Sequence, residues 1–434
     1  MGANMTAPQH AQALLDYIDA SPSPWHVVNT TASKLKSQGF TELGEVSAWQ
    51  LRTGGKYFVV RDGGSIIAFV LGQHPIAEAS FRIVGAHTDS PSLRLKPKAA
   101  FSSQGMAQLG VEVYGGPILA TFTDRDLSLA GRVTVRKGKA FETKLIKLDE
   151  PIARLPNLAI HMNREVNDKG LVLNKQNGLP LIFGFAANTA EAHQALIATL
   201  ASKLQVAADD ILTWDLALYD TQKGVLWGIS QEFIANSQLD NLASCHAALE
   251  ALMATKQPQA TSICALFDHE EVGSESATGA SGSFLLDVIA RICAATQTSN
   301  EDKLRAFANS FFISADMAHA FHPNHAGSYE PCHHVLVNQG PVIKTNASQR
   351  YSTNAQTAAR FIQLCEQAGV PYQQYAHRSD LGCGSTIGPI LAAQLGMPTV
   401  DVGNPMWAMH SIRESAGVLD HGYLIAVLKQ HFRS

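Results

Sequence analysis

Two neighbouring carboxylates, Glu270 and Glu271, close an apolar segment in the run Phe267-Asp268-His269-Glu270-Glu271-Val272-Gly273-Ser274. The residues before them, Ser262-Ile263-Cys264-Ala265-Leu266-Phe267, read as a short buried strand. Like charges held close in a low-dielectric site cannot both stay ionised without compensation. A divalent cation bound by one glutamate would relieve that repulsion and leave the other free to move a proton. An isolated Glu-Glu pair is more simply a solvated acidic turn, so the reading depends on what else the chain supplies.

Four other segments have the same design, an apolar run followed by a side chain of the metal-ligand type. They are Ile83-Val84-Gly85-Ala86-His87-Thr88-Asp89, Ser237-Gln238-Leu239-Asp240-Asn241, Ile313-Ser314-Ala315-Asp316-Met317-Ala318-His319 and Met406-Trp407-Ala408-Met409-His410. Sites of open α/β sheets lie beyond the carboxyl ends of the strands, so the five loops are expected to converge there. A metal-bound imidazole needs its other ring nitrogen held, and Asp89, two residues after His87, is placed to hold it. Each residue also has a plainer reading when taken alone. His87-Thr88-Asp89 could be a surface histidine beside a turn aspartate, Asp240 a helix N-cap, Asp316 a turn residue and His410 a core histidine. Jointly they supply two histidines, three carboxylates and a spare glutamate. That inventory suits two zinc ions sharing one carboxylate, with Co2+ or Mn2+ also permitted by ligands that include no thiolate. The spare glutamate would be the general base.

These residues must be positioned by a chain of 434 residues, too long for one ordinary core. Helical spacing marks residues 11–18, and a second helix is expected over 27–38, stopped by Gly39. Strands are expected at 56–61, 65–72 and 81–86, the last running into His87. Between about Leu95 and Glu232, strand-like pieces such as Val111-Glu112-Val113-Tyr114 alternate with Gly and Pro turns. Beyond it, helices are expected over 241–253, 283–296 and 353–368, and strands before Glu270, at 311–314 and at 398–402. The alternation argues for an α/β fold, a mixed sheet flanked by helices and interrupted by a β-rich insert. Residues 1–94 plus 233–434 would form the main domain and 95–232 the insert.

The 33 basic and 37 acidic residues leave a formal charge of -4 with no basic stripe. Nucleic acid and anionic membrane surfaces are therefore not the expected partners. Six cysteines, none in a Cys-x-x-Cys pair, read as free thiols of a reducing compartment. Residues 1–13 lack the pattern of a secretory leader, and no stretch is long and apolar enough to span a bilayer. A cytoplasmic protein is the expectation.

The runs Gly85-Ala86-His87-Thr88-Asp89-Ser90-Pro91, Asp268-His269-Glu270-Glu271-Val272-Gly273-Ser274, Ser314-Ala315-Asp316-Met317-Ala318-His319, Gly384-Ser385-Thr386-Ile387-Gly388-Pro389 and Met409-His410-Ser411-Ile412-Arg413-Glu414 resemble those of the aspartyl aminopeptidase family. The resemblance covers essentially the whole chain, in order. It implies a zinc-peptidase α/β domain interrupted by a dimerisation domain, assembled from dimers into a tetrahedral dodecamer that acts on peptides with acidic N-termini. It further implies that Asp240 bridges two metals, that His87 and Asp316 complete one site, and that Glu271 and His410 complete the other. Glu270 would activate the attacking water and pass its proton to the leaving amine.

By the same resemblance, His161 of the insert would reach a neighbouring subunit's substrate near the scissile carbonyl; a metal-ligand role is a second possibility and a solvent-facing strand position a third. Lys344 is the implied cation for an acidic N-terminal side chain, with Tyr351 close in sequence. The loop Asp380-Leu381-Gly382-Cys383-Gly384-Ser385-Thr386 would line the site, with Asp380, Ser385 and Thr386 as substrate contacts, or else form a turn into the next helix. Cys383 lacks an identifiable base, so a nucleophilic role is discounted. The histidines at 319, 322, 325, 333 and 334 read as surface or supporting residues. A related zinc amidohydrolase, with broader aminopeptidase or deacylase specificity, would use the same ligands. A non-catalytic metal-storage protein would have no use for Glu270.

Overall fold

The computed structural model describes residues 5–434. The middle strands of its central sheet are almost entirely buried, because both faces are covered. In Thr261–Phe267 every residue is buried. Ile263, Ala265 and Phe267 enter the core on one side, while Cys264 and Leu266 enter the core on the other. The helices Ala7–Asp19, Pro24–Ser37, Leu239–Met253, Ala355–Ala368 and Val418–Arg433 contribute to the Leu266 side. The helices Phe284–Ala295, Asn300–Asn309 and Ile387–Leu395 contribute to the Phe267 side.

This sheet has nine strands, in the order Thr41–Glu42, Lys56–Arg61, Ser65–Val70, Thr261–Phe267, Phe81–His87, Phe311–Ala315, Thr399–Gly403, Val342–Thr345 and Gln373–Ala376. Its middle is parallel: Thr261–Phe267, Phe81–His87, Phe311–Ala315 and Thr399–Gly403 run together, with Phe267 paired to His87. The carboxyl ends of the first three therefore bring Glu270 and Glu271, His87 and Asp316 to one edge of the sheet.

A second, antiparallel sheet of six strands draws all its members from Ser92–Ser103 through Ile211–Asp220 and has a core of its own around Leu109, Leu129 and Leu216. The helix Thr189–Leu204 packs there through Ala192, Leu196 and Leu200, spaced four residues apart. Sequence reading took this stretch for β-rich texture and missed the helix.

A third sheet of five short strands corrects another expectation. It runs Val225–Trp227, Phe233–Asn236, Glu414–Gly417, Pro405–Trp407 and Ala318–His319. Asp240 follows its second strand and His410 its fourth, so two of the five expected loops leave this small sheet rather than the large one. The helices Asn300–Asn309 and Val418–Arg433 have no counterpart in the sequence reading. The first buries only Ala306 and Phe307, and the second buries Asp420, His421 and His431 among its apolar residues. Both departures blur the apolar period that marks a helix. Among the described residues, no helix is long and apolar enough to cross a membrane.

Candidate metal centre

His87 is the last residue of its strand and is buried. Its Nδ1 lies 3.0 Å from the carbonyl oxygen of Asp89. A carbonyl only accepts, so Nδ1 keeps its proton and Nε2 is the nitrogen that a metal could take once the ring is neutral. That Nε2 is 3.5 Å from Asp240 Oδ1, 3.5 Å from Asp316 Oδ1 and 4.0 Å from Glu270 Oε2. His410 repeats the arrangement. Its Nδ1 faces the Gly116 carbonyl at 3.0 Å, leaving Nε2 at 3.4 Å from both Asp240 Oδ2 and Glu271 Oε1. Asp240 thus offers one oxygen to each imidazole.

The backbone departs from regular geometry to bring this about. Asp240 and Asn241 are non-helical although they stand at the start of the helix Leu239–Met253. Asp240 Oδ1 has no hydrogen-bond partner and Oδ2 faces His410, so the side chain does not cap the helix as considered from sequence. His269 takes a positive φ of 64°, which turns the chain out of its strand into the short helical turn Glu270–Val272. The two glutamates then diverge, Glu270 toward His87 and Glu271 toward His410. Gly403 allows Asp316 to come close, since a Cβ there would stand 1.7 Å from the Asp316 carbonyl oxygen.

Asp89 does more than hold an imidazole, and it does so differently from the expectation. Its backbone carbonyl is nearer His87 Nδ1 than its carboxylate, which stands at 3.4 Å. The carboxylate instead accepts the N–H groups of Glu270 and Glu271, both at 3.1 Å, and the hydroxyl of Tyr114 at 2.6 Å. The Arg94 guanidinium lies over the Tyr114 ring, 3.4 Å from its centroid. Tyr114, Gly115 and Gly116 were not identified from sequence. Their signal is weak, because a Tyr-Gly-Gly run in a strand-rich region reads as an ordinary turn.

Burial pushes Glu270 up to about 8, with Asp316 and Glu271 adding to the effect and His87 opposing it. Burial likewise lifts Glu271 to about 7, against the pull of His410. Burial disfavours charge on His410 too, but the Asp240 and Glu271 carboxylates overcome it and raise the imidazole to about 11. Burial opposes ionisation of Asp240, yet the two imidazoles outweigh it and hold its carboxyl well below the usual range.

Three sets of side chains bring ligand atoms within 4.8 Å of one another: His87/Asp240/Asp316, Asp240/Glu271/His410 and His87/Glu270/Glu271. The first two share only Asp240. Atoms 3.4–3.5 Å apart, as found around each Nε2, subtend about 110° at an ion about 2.0–2.1 Å from both, a tetrahedral angle. Asp240 Oδ1 is moreover a buried oxygen without a hydrogen-bond partner. Such an atom is costly unless something else satisfies it. The donor set therefore fits divalent cations of the zinc type.

A family model described as Aminopeptidase I zinc metalloprotease (M18) matches residues 17–432. The chain belongs to the M18 aminopeptidase family. It is a zinc metallopeptidase, a hydrolase of peptide bonds, and it shares the α/β fold of that family. A probable M18 family aminopeptidase 2 of Ectopseudomonas mendocina (strain ymp) is 48% identical over 425 residues, 98% of each chain. A chain in the cryo-EM structure of the Ape4 and Nbr1 complex superposes with a TM-score of 0.94 at 38% identity, over 98% of this chain and 86% of that one. The mApe1 dodecamer of S. cerevisiae gives a TM-score of 0.86 at 28% identity, over 98% and 96% of the two chains.

The remaining sequence candidates fall into two groups. Lys344, Tyr351, Ser385 and Thr386 line a cleft of about 600 Å³ together with His87, Asp240, Glu270, Glu271, Asp316 and His410. Asp380 does not line it; it is exposed on the same loop and pairs with Arg378 at 2.6 Å. His161 is not brought to the cleft of its own chain either. It sits exposed in the turn Ile160–Met162, which is not a strand. Glu414, absent from the sequence candidates, is buried beside Asp240 and His410 and accepts the N–H groups of both. Its only signal was its place at the end of the Met409–Glu414 run.

Protons and zinc compete for these ligands. Because Glu271 and His410 are raised in the metal-free chain, that chain holds protons which zinc must expel. Zinc affinity should therefore rise with pH between about 6 and 8, with about one proton or more released per ion. Calorimetric zinc titration in buffers of different ionisation enthalpy measures this. Uptake without proton release would mean that other groups bind the metal.

Proposed function

We propose that the chain removes acidic residues from the N-termini of peptides, using two zinc ions per subunit. The carrying observation is Asp240, one of whose oxygens faces each imidazole. His87, Asp240 and Asp316 would hold one ion, and Asp240, Glu271 and His410 the other. Two ions so placed would acidify a shared water and polarise the scissile carbonyl. Glu270 is left outside both sets, at 4.0 Å from His87 Nε2, with its proton affinity already raised by burial. It takes a proton from the water as the new C–O bond forms, then delivers it to the amine nitrogen as the C–N bond breaks.

Lys344 supports the acidic preference. It is buried in the cleft wall, and its Nζ donates to the carbonyls of Asp316 at 2.9 Å and Met317 at 3.1 Å. An ammonium has three donors, so one remains for a substrate carboxylate. The Asp316 carboxylate, at 3.6 Å, is its competing use.

The insert, taken as residues 95–232, would serve dimerisation and substrate access. Around His161, the side chains of Leu158, Ile160 and Met162 are exposed at 68%, 47% and 76%. Apolar exposure on that scale fits a segment covered by another subunit. We accordingly assign His161 to the substrate bound in a neighbouring subunit, within a homo-oligomer like the dodecamer of S. cerevisiae mApe1. All six cysteines are free, in keeping with a cytoplasmic location.

Three measurements test this reading. Glu270→Gln should retain both zinc ions and lose roughly 10²–10⁴-fold in kcat; undiminished turnover with full zinc would refute Glu270 as the base. On a panel of Asp, Glu and Leu N-terminal substrates, Lys344→Ala should lower kcat/KM for the acidic ones selectively. Equal losses on all three, with loss of zinc, would make Lys344 a support for Asp316 and favour a broader amidohydrolase. His161→Ala should keep its zinc and its oligomeric state but turn over poorly, whereas loss of zinc would make His161 a ligand.

A further inference from the structure

The buried carboxylate of Glu414 is outside the cleft lining, yet it joins the two turns that carry Asp240 and His410. Its Oε1 accepts the N–H of His410 at 2.7 Å, and its Oε2 accepts the N–H of Asp240 at 3.0 Å. Both turns need such a hold. His410 has a φ of 68° and Ala408 one of 55°, and Gln238, two residues before Asp240, has one of 58°. Side chains other than glycine rarely occupy that region, and they stay there only when surrounding contacts over-determine the backbone. For His410 those contacts are Glu414 on its N–H and the Ile118 N–H on its carbonyl, at 2.9 Å.

We propose that Glu414 is a positioning residue for the zinc position formed by Asp240, Glu271 and His410. The inference rests on the two-ion reading above and adds to it a selective requirement for one position. A single carboxylate sets the separation of the two turns, and with it the 3.4 Å gap between His410 Nε2 and Asp240 Oδ2. The ion held by His87, Asp240 and Asp316 depends on it less, since His87 and Asp316 are fixed by the central sheet. A carboxylate is needed because both partners are donors. Glutamine would keep one acceptor and set its own N–H groups against the other turn; alanine would remove both acceptors.

Zinc content and affinity by chelator competition, measured on the full-length protein, separate this role from a general structural one. Glu414→Gln should weaken one of the two ions roughly tenfold and Glu414→Ala up to roughly a hundredfold, the usual range for groups supporting metal ligands. The other ion, which shares Asp240 but not His410, should weaken less. In a His410→Ala background, Glu414→Gln should weaken the remaining ion by less than it weakens the Asp240/Glu271/His410 position in the otherwise wild-type chain. Wild-type affinity for both ions in Glu414→Gln, or equal weakening of both, would overturn the proposal, and Glu414→Gln decides alone should the alanine variant fail to fold. A wild-type chain that binds only one zinc would sink the two-ion reading instead. The affinity of that single ion in Glu414→Gln would still decide Glu414, tenfold weakening supporting the role and no change refuting it.

Discussion

The arrangement of this site turns on the sharing of Asp240. A buried carboxylate with one oxygen toward each of two imidazoles is tolerable only if positive charge sits on both sides of it. Without cations, the imidazoles must supply that charge by staying protonated, and His410 is accordingly raised to about 11. Leaving a buried charge without a partner costs roughly 3–5 kcal/mol. With Glu270, Glu271 and Asp316 crowding the same space, the folded chain stores a demand for positive charge that divalent cations would meet better than protons. Zinc dependence is thus a consequence of packing as well as of ligand identity.

The same constraint explains why so much backbone is recruited. Two buried carboxylates outside the cleft lining act as paired clamps. Asp89 takes the N–H groups of Glu270 and Glu271, while Glu414 takes those of Asp240 and His410. Each ties together two neighbouring ligand positions through amides rather than side chains. Amides cannot be deprotonated or displaced by a metal, so ligand spacing survives changes in the state of the ligands themselves. The backbone carbonyls of Asp89 and Gly116 fix the tautomers of His87 and His410 by the same logic.

This division of labour also accounts for what could be read from the sequence. His87, Glu270, Glu271 and Asp316 stand out because each ends or follows an apolar run, and strand ends of a parallel sheet face one edge. The α/β character of the main sheet follows from runs such as Ser262 to Phe267, whose burial on both faces needs no alternation. Asp240 and His410 were legible as residues but not as places, since the small sheet that carries them is built from strands of two to four residues. Glu414, Tyr114 and Gly116 act through contacts spanning 174, 25 and 294 positions. No local pattern encodes contacts of that kind. The helix Thr189–Leu204 was hidden by its neighbours, whose strands and turns set the texture of the whole region.

The contacts of Tyr114 and Gly116 bear on what the inserted sheet is for. Tyr114 ends the strand Met106–Tyr114, and its hydroxyl braces Asp89 behind both glutamates. Gly115, at a φ of 68°, lets the chain pass so close to Glu271 that a Cβ would stand 3.2 Å from the glutamate's own Cβ. Gly116 then orients His410, and the Ile118 N–H holds the His410 carbonyl. A segment of about five residues from the second sheet thus touches three of the groups that define the centre. A unit that served assembly alone would have no reason to do this. The strand Met106–Tyr114 is itself hydrogen-bonded between Ser92–Ser103 and Leu181–Phe185, which fixes its end beside these groups. The second sheet therefore supports the candidate metal centre within its own chain.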